Sequence, residues 1–238
     1  MGTFRIICAL ALGLIASGCA STSDSGPMDP LEPVNRFFFD MNQKLDRNAA
    51  LPAATLYRDT VPQPARTTLH NVLDNLGGPV TFANDILQID FENAGIAAAR
   101  FVVNTTIGVA GIFDVATDWG MPGRPRDFGE TMGTYGVPPG PYLVMPFRGA
   151  TDVRDFAGNY IDGFASPLRY VRYDGRNYVG LVKSSLGSMD NRANNIITYR
   201  DIERASVDYY STLRTYYLQR RARLIEDRSV PTQQLPDF

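Results

Sequence analysis

Residues 95–116, GIAAARFVVNTTIGVAGIFDVA, form an unusually apolar segment near the middle of the chain. It carries only two charged side chains, Arg100 and Asp114, which is too few for an ordinary solvent-facing helix. A helix that crosses a bilayer needs about 20 predominantly apolar residues, whereas an asparagine, two threonines and three glycines interrupt this segment. The pattern predicts a helix from about 92 to 107, closed by Gly108, that lies in apolar surroundings without crossing a membrane.

The N-terminal residues predict export from the cytoplasm. Arg5 is followed by the apolar run IICALALGLIA, which ends at Ser17, Gly18 and Cys19. A short basic region, an apolar stretch and small residues at its end are typical of a secretory signal peptide, here residues 1–18. A cysteine directly after the small residues resembles the lipobox of bacterial lipoproteins, in which that cysteine is acylated. The alternatives are an uncleaved anchor helix or a chance cysteine.

Acylation of Cys19 would hold the chain on a membrane surface. Each buried CH₂ contributes about 0.8 kcal/mol, and two or more acyl chains anchor a protein stably where one chain does not. Residues 19–30, small and polar with several serines, are therefore predicted to be the acylated cysteine and a flexible tether. Ala20 follows the cysteine instead of an aspartate, as in lipoproteins sorted to the bacterial outer membrane. We expect a lipid-anchored protein that faces the periplasm.

The remainder of the chain is predicted to form one mainly α domain, residues 31–226, followed by a disordered tail, residues 227–238. The full chain is 44% apolar and 11% aromatic, which is enough for a substantial core. Two glycines before Pro79 predict that one helix ends there and that the proline starts another. Dense glycine and proline near 128–148 predict a loop or a short hairpin.

The residues that most enzymes and metal sites need are missing from the sequence. With Cys8 lost in the signal peptide and Cys19 acylated, no thiol remains for a disulfide, a nucleophile or a zinc site. His70 is the only histidine, and no Gly-x-Ser-x-Gly motif of lipases occurs. Asp152 and Asp155 lie one helical turn apart and are expected to be a solvated pair. We therefore predict no enzymatic activity, no metal and no cofactor.

A nucleic-acid partner is also excluded. The formal net charge of the full chain is −2, which predicts neither a basic binding surface nor an acidic tail. An exported chain, moreover, has no nucleic acid to meet.

Four stretches resemble, in order and spacing, the MlaA (VacJ) family of outer-membrane lipoproteins. They are DPLEPVNRFFFDMN (29–42), VPQPARTTLHNVLDNLGGP (61–79), FVVNTTIGVAGIFDVA (101–116) and DFGETMGTYGVPPGPYLVMPFRG (127–149). The resemblance implies a ring-shaped helical protein that lies in the plane of the membrane. It also implies that the protein removes misplaced phospholipids from the outer leaflet through an amphipathic pore. The implied partners are phospholipid, a trimeric outer-membrane porin and a periplasmic lipid-carrier protein.

The first group of candidate functional residues lies within residues 95–116. If helices close a ring, one wall faces lipid and another lines a pore, where polar groups at membrane depth are tolerated. Arg100, Asn104 and Asp114 suit that inner wall, because a charge at membrane depth is costly unless it is paired or wetted. They are our predicted lipid-path residues. The alternative is that Arg100 only pairs with an acid inside a soluble core.

The second group lies in the N-terminal motif and comprises Asn35, Arg36, Phe39 and Asn42. Asn35, Phe39 and Asn42 fall at i, i+4 and i+7, so a helix places them on one face. Their functional interpretation competes with a structural one, in which they cap and pack the helix.

Three hypotheses follow for the function. The leading one is a passive lipid conduit, in which the headgroup follows a polar path while the acyl chains stay against apolar walls. The second is a structural lipoprotein that scaffolds porins or the envelope without transporting anything. The third, a lipid hydrolase, would need a nucleophile and a base that the sequence does not offer.

Overall fold

Helices account for most of the computed structural model, which describes residues 29–166, 169 and 176–226. The predicted signal peptide, Cys19, nearly all of the tether and the predicted tail lie outside the described residues. In chain order the elements are α1 (Glu32–Leu45), a π-helical turn (Asp46–Ala50), α2 (Leu51–Thr60), α3 (Gln63–Leu87), α4 (Phe91–Thr106), α5 (Val115–Asp118), α6 (Phe128–Thr134), β1 (Tyr142–Met145), β2 (Gly149–Asp152), α7 (Val153–Ala165), α8 (Arg176–Asn194), α9 (Ile196–Ala205) and α10 (Tyr209–Glu226). The predicted mainly α fold class is confirmed.

Helix α3 continues through Pro79, where the sequence predicted a break between two helices. A Cβ atom on Gly78 would lie 3.2 Å from Cδ2 of Phe101, so this glycine permits close packing against α4. Asn75 adds a hydrogen bond from its Nδ2 to Oγ1 of Thr105, at 3.0 Å. The prediction of two helices was wrong because packing against α4 outweighs the loss of one backbone hydrogen bond at the proline.

Helix α4 matches its predicted bounds within one residue, and the chain then folds back on it. Asp90 caps its first turn by accepting a hydrogen bond from the Asn93 amide, at 3.3 Å. After the helix, Val109, Ala110 and Gly111 have successive φ angles of 53°, 57° and 91°. This left-handed conformation costs a non-glycine residue about 1 kcal/mol. The segment after it returns to contact α4.

A two-stranded antiparallel hairpin follows the short helix α6. Strands β1 and β2 pair with Tyr142 opposite Asp152 and Met145 opposite Gly149. The predicted loop or hairpin near 128–148 is therefore a hairpin at its C-terminal end. Its N-terminal end is instead helix α6, because Asp127 caps that helix through the Glu130 amide at 2.7 Å.

Polar side chains fill much of the interior. The largest side chains with almost no exposure are Asn35, Asn84, Asp85, Asp152 and Asp190. Asp152 and Asp155 are 0% and 5% exposed, so the prediction that they are solvated was wrong. Each lies close to an arginine, which explains why burial is tolerated.

Large apolar side chains, by contrast, lie on the outside. Those with more than half of their surface exposed include Phe37, Phe91, Val102, Ile107, Phe113, Trp119, Phe147 and Tyr160. Extensive exposed apolar surface indicates contact with a membrane or a protein. Within the described ranges, no helix has both the length and the apolar character needed to cross a membrane.

Candidate functional site

A cluster of buried charges joins α6, α7 and α10, and Arg221 lies at its centre. The Arg221 guanidinium donates to both carboxylate oxygens of Asp127, at 2.8 and 2.9 Å, and to Oε1 of Glu130 at 3.1 Å. Its Nε lies 2.5 Å from Oδ2 of Asp155. Because Arg221 is only 8% exposed, removing its guanidinium would leave buried carboxylates without their shared partner, at a cost of about 3–5 kcal/mol.

Two more arginines and a tyrosine complete this cluster. Arg126 donates to Oε2 of Glu130 at 3.3 Å, and Arg154 donates to Oδ1 of Asp155 at 3.1 Å. The Tyr217 hydroxyl donates to Oδ2 of Asp155 at 2.6 Å. The carboxylates therefore hold α10 against α6 and α7 through hydrogen bonds to charged donors, which are the stronger kind.

Two neighbouring acids in the cluster have pKa values shifted in opposite directions. Burial, together with the nearby Asp127 carboxylate, raises the pKa of Glu130 to about 7. Burial also acts to raise the pKa of Asp127, but the charge and hydrogen bonds of Arg221 outweigh it and lower that pKa. Asp127 is thus the ionised partner of Arg221, while Glu130 gains or loses its proton near neutral pH.

Asn35 and Asn42 of the N-terminal motif bind the backbone of strand β1. Asn35 donates to the Tyr142 carbonyl at 2.8 Å and accepts from the Val144 amide at 2.9 Å. Asn42 likewise donates to the Met145 carbonyl and accepts from the Phe147 amide, both at 2.9 Å. Seven helical residues rise about 10.5 Å, and three strand residues rise about 10 Å. The two asparagines therefore match the spacing of the strand groups they bind.

Arg36 and Phe39, the other two motif residues, attach the same helix to α10. Arg36 donates to both carboxylate oxygens of Asp208, at 3.1 and 2.5 Å. Its guanidinium carbon lies 4.5 Å from the ring centre of Tyr210. The Phe39 ring packs edge-on against Tyr209 and Tyr210, with centroids 5.6 and 5.5 Å away. All four motif residues have partners in the fold, but none of them caps α1, whose N-cap is Leu31. A functional role for the motif stays a prediction.

Arg100, Asn104 and Asp114, the predicted lipid-path residues, form one hydrogen-bonded group. Arg100 donates to both carboxylate oxygens of Asp114 at 3.2 Å, and Asn104 donates to Oδ1 at 2.8 Å. The Asn104 oxygen accepts from the Ala116 amide at 2.9 Å. Burial acts to raise the pKa of Asp114, but hydrogen bonds from Thr117 and Asn104 and the Arg100 charge lower it. The hydrogen bonds among Arg100, Asn104 and Asp114 hold in place the segment that folds back on α4.

A small cavity of about 70 Å³ adjoins this group. Its wall includes Arg100, Asn104 and Asp114 together with parts of α3 and the segment 122–125. The Arg100 side chain is 15% exposed, and its charge is paired with Asp114. Such a space has room for a few water molecules at most. A role for these three residues in a lipid path stays a prediction.

A much larger cavity, of about 720 Å³, lies between the N-terminal helices, the hairpin and the C-terminal helices. We call it the amphipathic cavity. Its apolar lining includes Phe39, Leu45, Leu51, Val144, Ile196 and Leu213, and its charged lining comprises Asp46, Arg47, Arg148, Arg192, Arg200 and Glu203. The volume falls within the range of about 300–1,000 Å³ of small-molecule sites. The two kinds of lining suit a ligand that has one polar and one apolar part.

The π-helical turn supplies several residues of this wall. Asp46 accepts two hydrogen bonds from Arg192, at 2.7 and 2.8 Å, and Arg47 pairs with Glu203. Segments of π-helix are rare and occur frequently at functional sites. The turn therefore bridges to α8 and α9 and sets the width of the cavity at this side.

A family model described as MlaA lipoprotein matches residues 27–224 of the sequence. The chain belongs to the MlaA lipoprotein family. The match includes all residues of the amphipathic cavity and of the buried charge cluster. The family resemblance of the four sequence motifs is thereby confirmed.

Named relatives of this MlaA-family chain occur in other bacteria. The intermembrane phospholipid transport system lipoprotein MlaA of Escherichia coli K12 is 36% identical, over 96% of this chain and 92% of the relative. The protein of the same name from Haemophilus influenzae is 32% identical, over 92% and 89%. A solved structure described as "Structural basis for maintenance of bacterial outer membrane lipid asymmetry" has 33% identity and a TM-score of 0.76, covering 84% of this chain and 100% of that one.

Sequence reasoning on this MlaA-family chain missed the arginines of both sites. Arg221 lies on the stripe of α10 that also contains Leu213, Tyr217 and Leu224, all buried. An arginine at helical spacing within an apolar stripe could have signalled a buried ion pair. Arg148 and Arg200 gave no local signal, because the hairpin and α9 meet the cavity only in the folded chain.

We predict that replacing Glu130 by glutamine flattens the pH dependence of stability. The ordinary pKa of a glutamate is 4.5 and that of folded Glu130 is about 7, so the folded state binds more protons between these values. Protonated Glu130 stabilises the folded state fully below pH 4.5, and this stabilisation is lost as the pH rises through 7. The loss in the free energy of unfolding is about 3 kcal/mol at most. Unfolding of detergent-solubilised protein at pH 5–8 should show wild type losing stability relative to E130Q.

The matched control for this experiment is Glu92→Gln, which changes an exposed glutamate on α4. Its pH dependence should equal that of wild type. Equal slopes for wild type and E130Q would show that Glu130 does not titrate in this range.

We predict that Asn35→Ala destabilises the fold by about 2–4 kcal/mol, because it leaves a buried carbonyl and a buried amide of β1 without partners. Asp40→Ala, an exposed change on the same helix, should shift stability by less than about 0.5 kcal/mol. Thermal unfolding followed by circular dichroism measures both. Similar midpoints for the two variants would mean that the asparagine does not hold the strand.

Proposed function

We propose that this chain is an outer-membrane lipoprotein that removes misplaced phospholipids from the outer leaflet and passes them to a periplasmic carrier. The names of its relatives describe phospholipid transport between membranes, and the similar solved structure concerns outer-membrane lipid asymmetry. The observation that carries the proposal is the amphipathic cavity of about 720 Å³. A phospholipid has one charged and one apolar part, which match the two kinds of lining.

In this proposal the headgroup contacts the charged lining while acyl chains contact the apolar lining. Arg148 and Arg200 supply charged groups to the lining, and Phe39, Val144 and Ile196 supply apolar groups. Burying acyl CH₂ groups against apolar side chains contributes roughly 0.8 kcal/mol for each group. The cavity thus offers separate contacts for both parts of one lipid, as a conduit requires.

The outward-facing apolar side chains support a position in contact with lipid. Phe37 on α1, Phe91 on α4 and Tyr160 on α7 each have more than half of their surface exposed. Contact with acyl chains would remove these surfaces from water. We propose that the helices lie lengthwise at membrane depth, and the ring shape implied by the family resemblance stays a prediction.

The anchor and the partners complete the proposal. MlaA lipoproteins of the transport system associate with membranes of the cell envelope. We place this chain at the outer membrane through acylation of Cys19, with a trimeric porin and a periplasmic lipid carrier as its protein partners. No residue is assigned a catalytic role, because the transport proposed here is passive and breaks no bond.

We predict that this chain lowers outer-leaflet phospholipid when it is supplied to a strain that lacks its family member. Cys19→Ser should abolish this effect, because the chain would lose its acyl anchor. Surface phospholipid is measured by labelling or enzymatic access in intact cells, with immunoblots showing equal protein amounts. Unchanged surface phospholipid with intact porin co-purification would contradict transport and favour the scaffold.

We further predict that a photo-crosslinking amino acid in place of Ala53, which lines the amphipathic cavity, captures phospholipid. The same group in place of Ala222, exposed on α10 and outside the cavity, is the control. Ile96 lines the small cavity beside Arg100, and a probe there tests the predicted lipid path. Mass spectrometry identifies the adducts.

Capture at position 53 well above that at position 222 supports the conduit through the amphipathic cavity. Capture at position 96 alone would place the lipid path beside Arg100 instead. Equal capture at positions 53 and 222 would contradict a lipid route through the amphipathic cavity.

A further inference from the structure

Positive charge exceeds negative charge in the lining of the amphipathic cavity. Four arginines, Arg47, Arg148, Arg192 and Arg200, line it together with two carboxylates, Asp46 and Glu203. Both carboxylates are already engaged, since Asp46 binds Arg192 and Glu203 pairs with Arg47. The charges of the other two arginines are therefore not compensated by an acid of the cavity wall.

Arg148 and Arg200 approach the cavity from different elements. Arg148 lies in the turn between β1 and β2, and Arg200 lies on α9. Both are exposed, and neither forms an ion pair with any residue that the structure describes. A guanidinium is weakly hydrated and presents a planar fork of donors that matches the oxygens of a phosphate. The pair thus offers donors to an anion at the cavity wall.

The same lining offers no uncommitted carboxylate for a cationic headgroup. Asp46 holds Arg192 with two hydrogen bonds of 2.7 and 2.8 Å, so binding an ammonium group there would require breaking a bidentate pair. The engaged Glu203 would likewise have to leave Arg47. An ammonium group near Arg148 and Arg200 would also be repelled.

We propose that the amphipathic cavity selects phospholipids whose headgroup carries a net negative charge, with Arg148 and Arg200 binding the phosphate. A lipid of the phosphatidylglycerol class satisfies both arginines, whereas the ammonium of phosphatidylethanolamine meets uncompensated positive charge. This inference deepens the proposed function and rests on it.

The apolar lining assigns the anion to a lipid and not to free phosphate. Phe39, Val144 and Ile196 belong to the same wall as the two arginines. A free phosphate ion gains nothing from these side chains, while the glycerol and first acyl methylenes of a lipid are buried against them. Both parts of the wall are occupied only when the phosphate belongs to a phospholipid.

The test uses the full acylated chain in detergent micelles and two lipid probes with identical photoactivatable acyl chains, one phosphatidylglycerol and one phosphatidylethanolamine. Wild type should capture phosphatidylglycerol roughly tenfold more strongly, as expected for two charge-assisted contacts at a partly hydrated site. R148Q/R200Q should lower phosphatidylglycerol capture to the phosphatidylethanolamine level without changing capture of phosphatidylethanolamine.

The charge-matched control is R204Q/R223Q, which removes two exposed arginines on α9 and α10 that lie outside the cavity lining. This variant should retain the preference of wild type for phosphatidylglycerol. Wild type should also retain that preference when inorganic phosphate is added at constant ionic strength. Displacement by inorganic phosphate would show a free-anion site and overturn the lipid assignment.

Two further outcomes separate this inference from the proposed function. Equal capture of both lipids by wild type overturns the headgroup selection alone, since the cavity would still bind phospholipid. Capture of neither lipid overturns the lipid conduit and the selection together. A circular dichroism spectrum and melting midpoint equal to wild type show that each variant is folded.

Discussion

The ion pairs of Arg221 are the interaction on which the rest of the structure depends. They link α10 to Asp127 and Glu130, which lie 94 and 91 positions earlier in the chain, and to Asp155 at the start of α7. A buried charge that loses its partner is costly, so these ion pairs favour the arrangement of the three helices that is observed. That arrangement places the hairpin between α1 and α10. The buried charge cluster and the hairpin hold the surrounding elements apart, and the amphipathic cavity is the space between those elements.

The distribution of polarity follows from the same constraint. Elements whose charged side chains pair inside leave their large apolar side chains on the outside, as Phe91 and Phe113 show. A water-soluble protein would expose the charges and bury the aromatic rings. In apolar surroundings this distribution is favourable, because unpaired polar groups cost more there than exposed aromatic rings do. Residues 95–116 show the same distribution of polarity. Arg100 and Asp114 form an ion pair on the inside, while the side chains of Val102 and Phe113 point outward.

Local patterns in the sequence were enough to predict the helical class and helix α4, whereas for the stretch near 128–148 they left a loop and a short hairpin open. The residues that share a face of α1 were also identified, although their partners on β1 were not. What local patterns could not predict depends on distant contacts. Pro79 continues a helix because Gly78 packs on Phe101, and Asp152 is buried because Arg154 lies beside it. The amphipathic cavity joins residues from positions 39 to 213, so no short stretch could have predicted it.

The asparagine contacts of α1 also affect how this chain meets other molecules. Strand β1 pairs with β2 along one edge, and its other edge would offer free backbone groups to a strand of another molecule. Asn35 occupies the Tyr142 carbonyl and the Val144 amide with its side-chain amide, and Asn42 does the same for the Met145 carbonyl at the strand end and the Phe147 amide in the turn. A chain that carries so much apolar surface is prone to aggregate before it reaches lipid, and a free strand edge would give aggregates an ordered template. By covering that edge with a helix, the N-terminal motif disfavours edge-to-edge self-association of the chain.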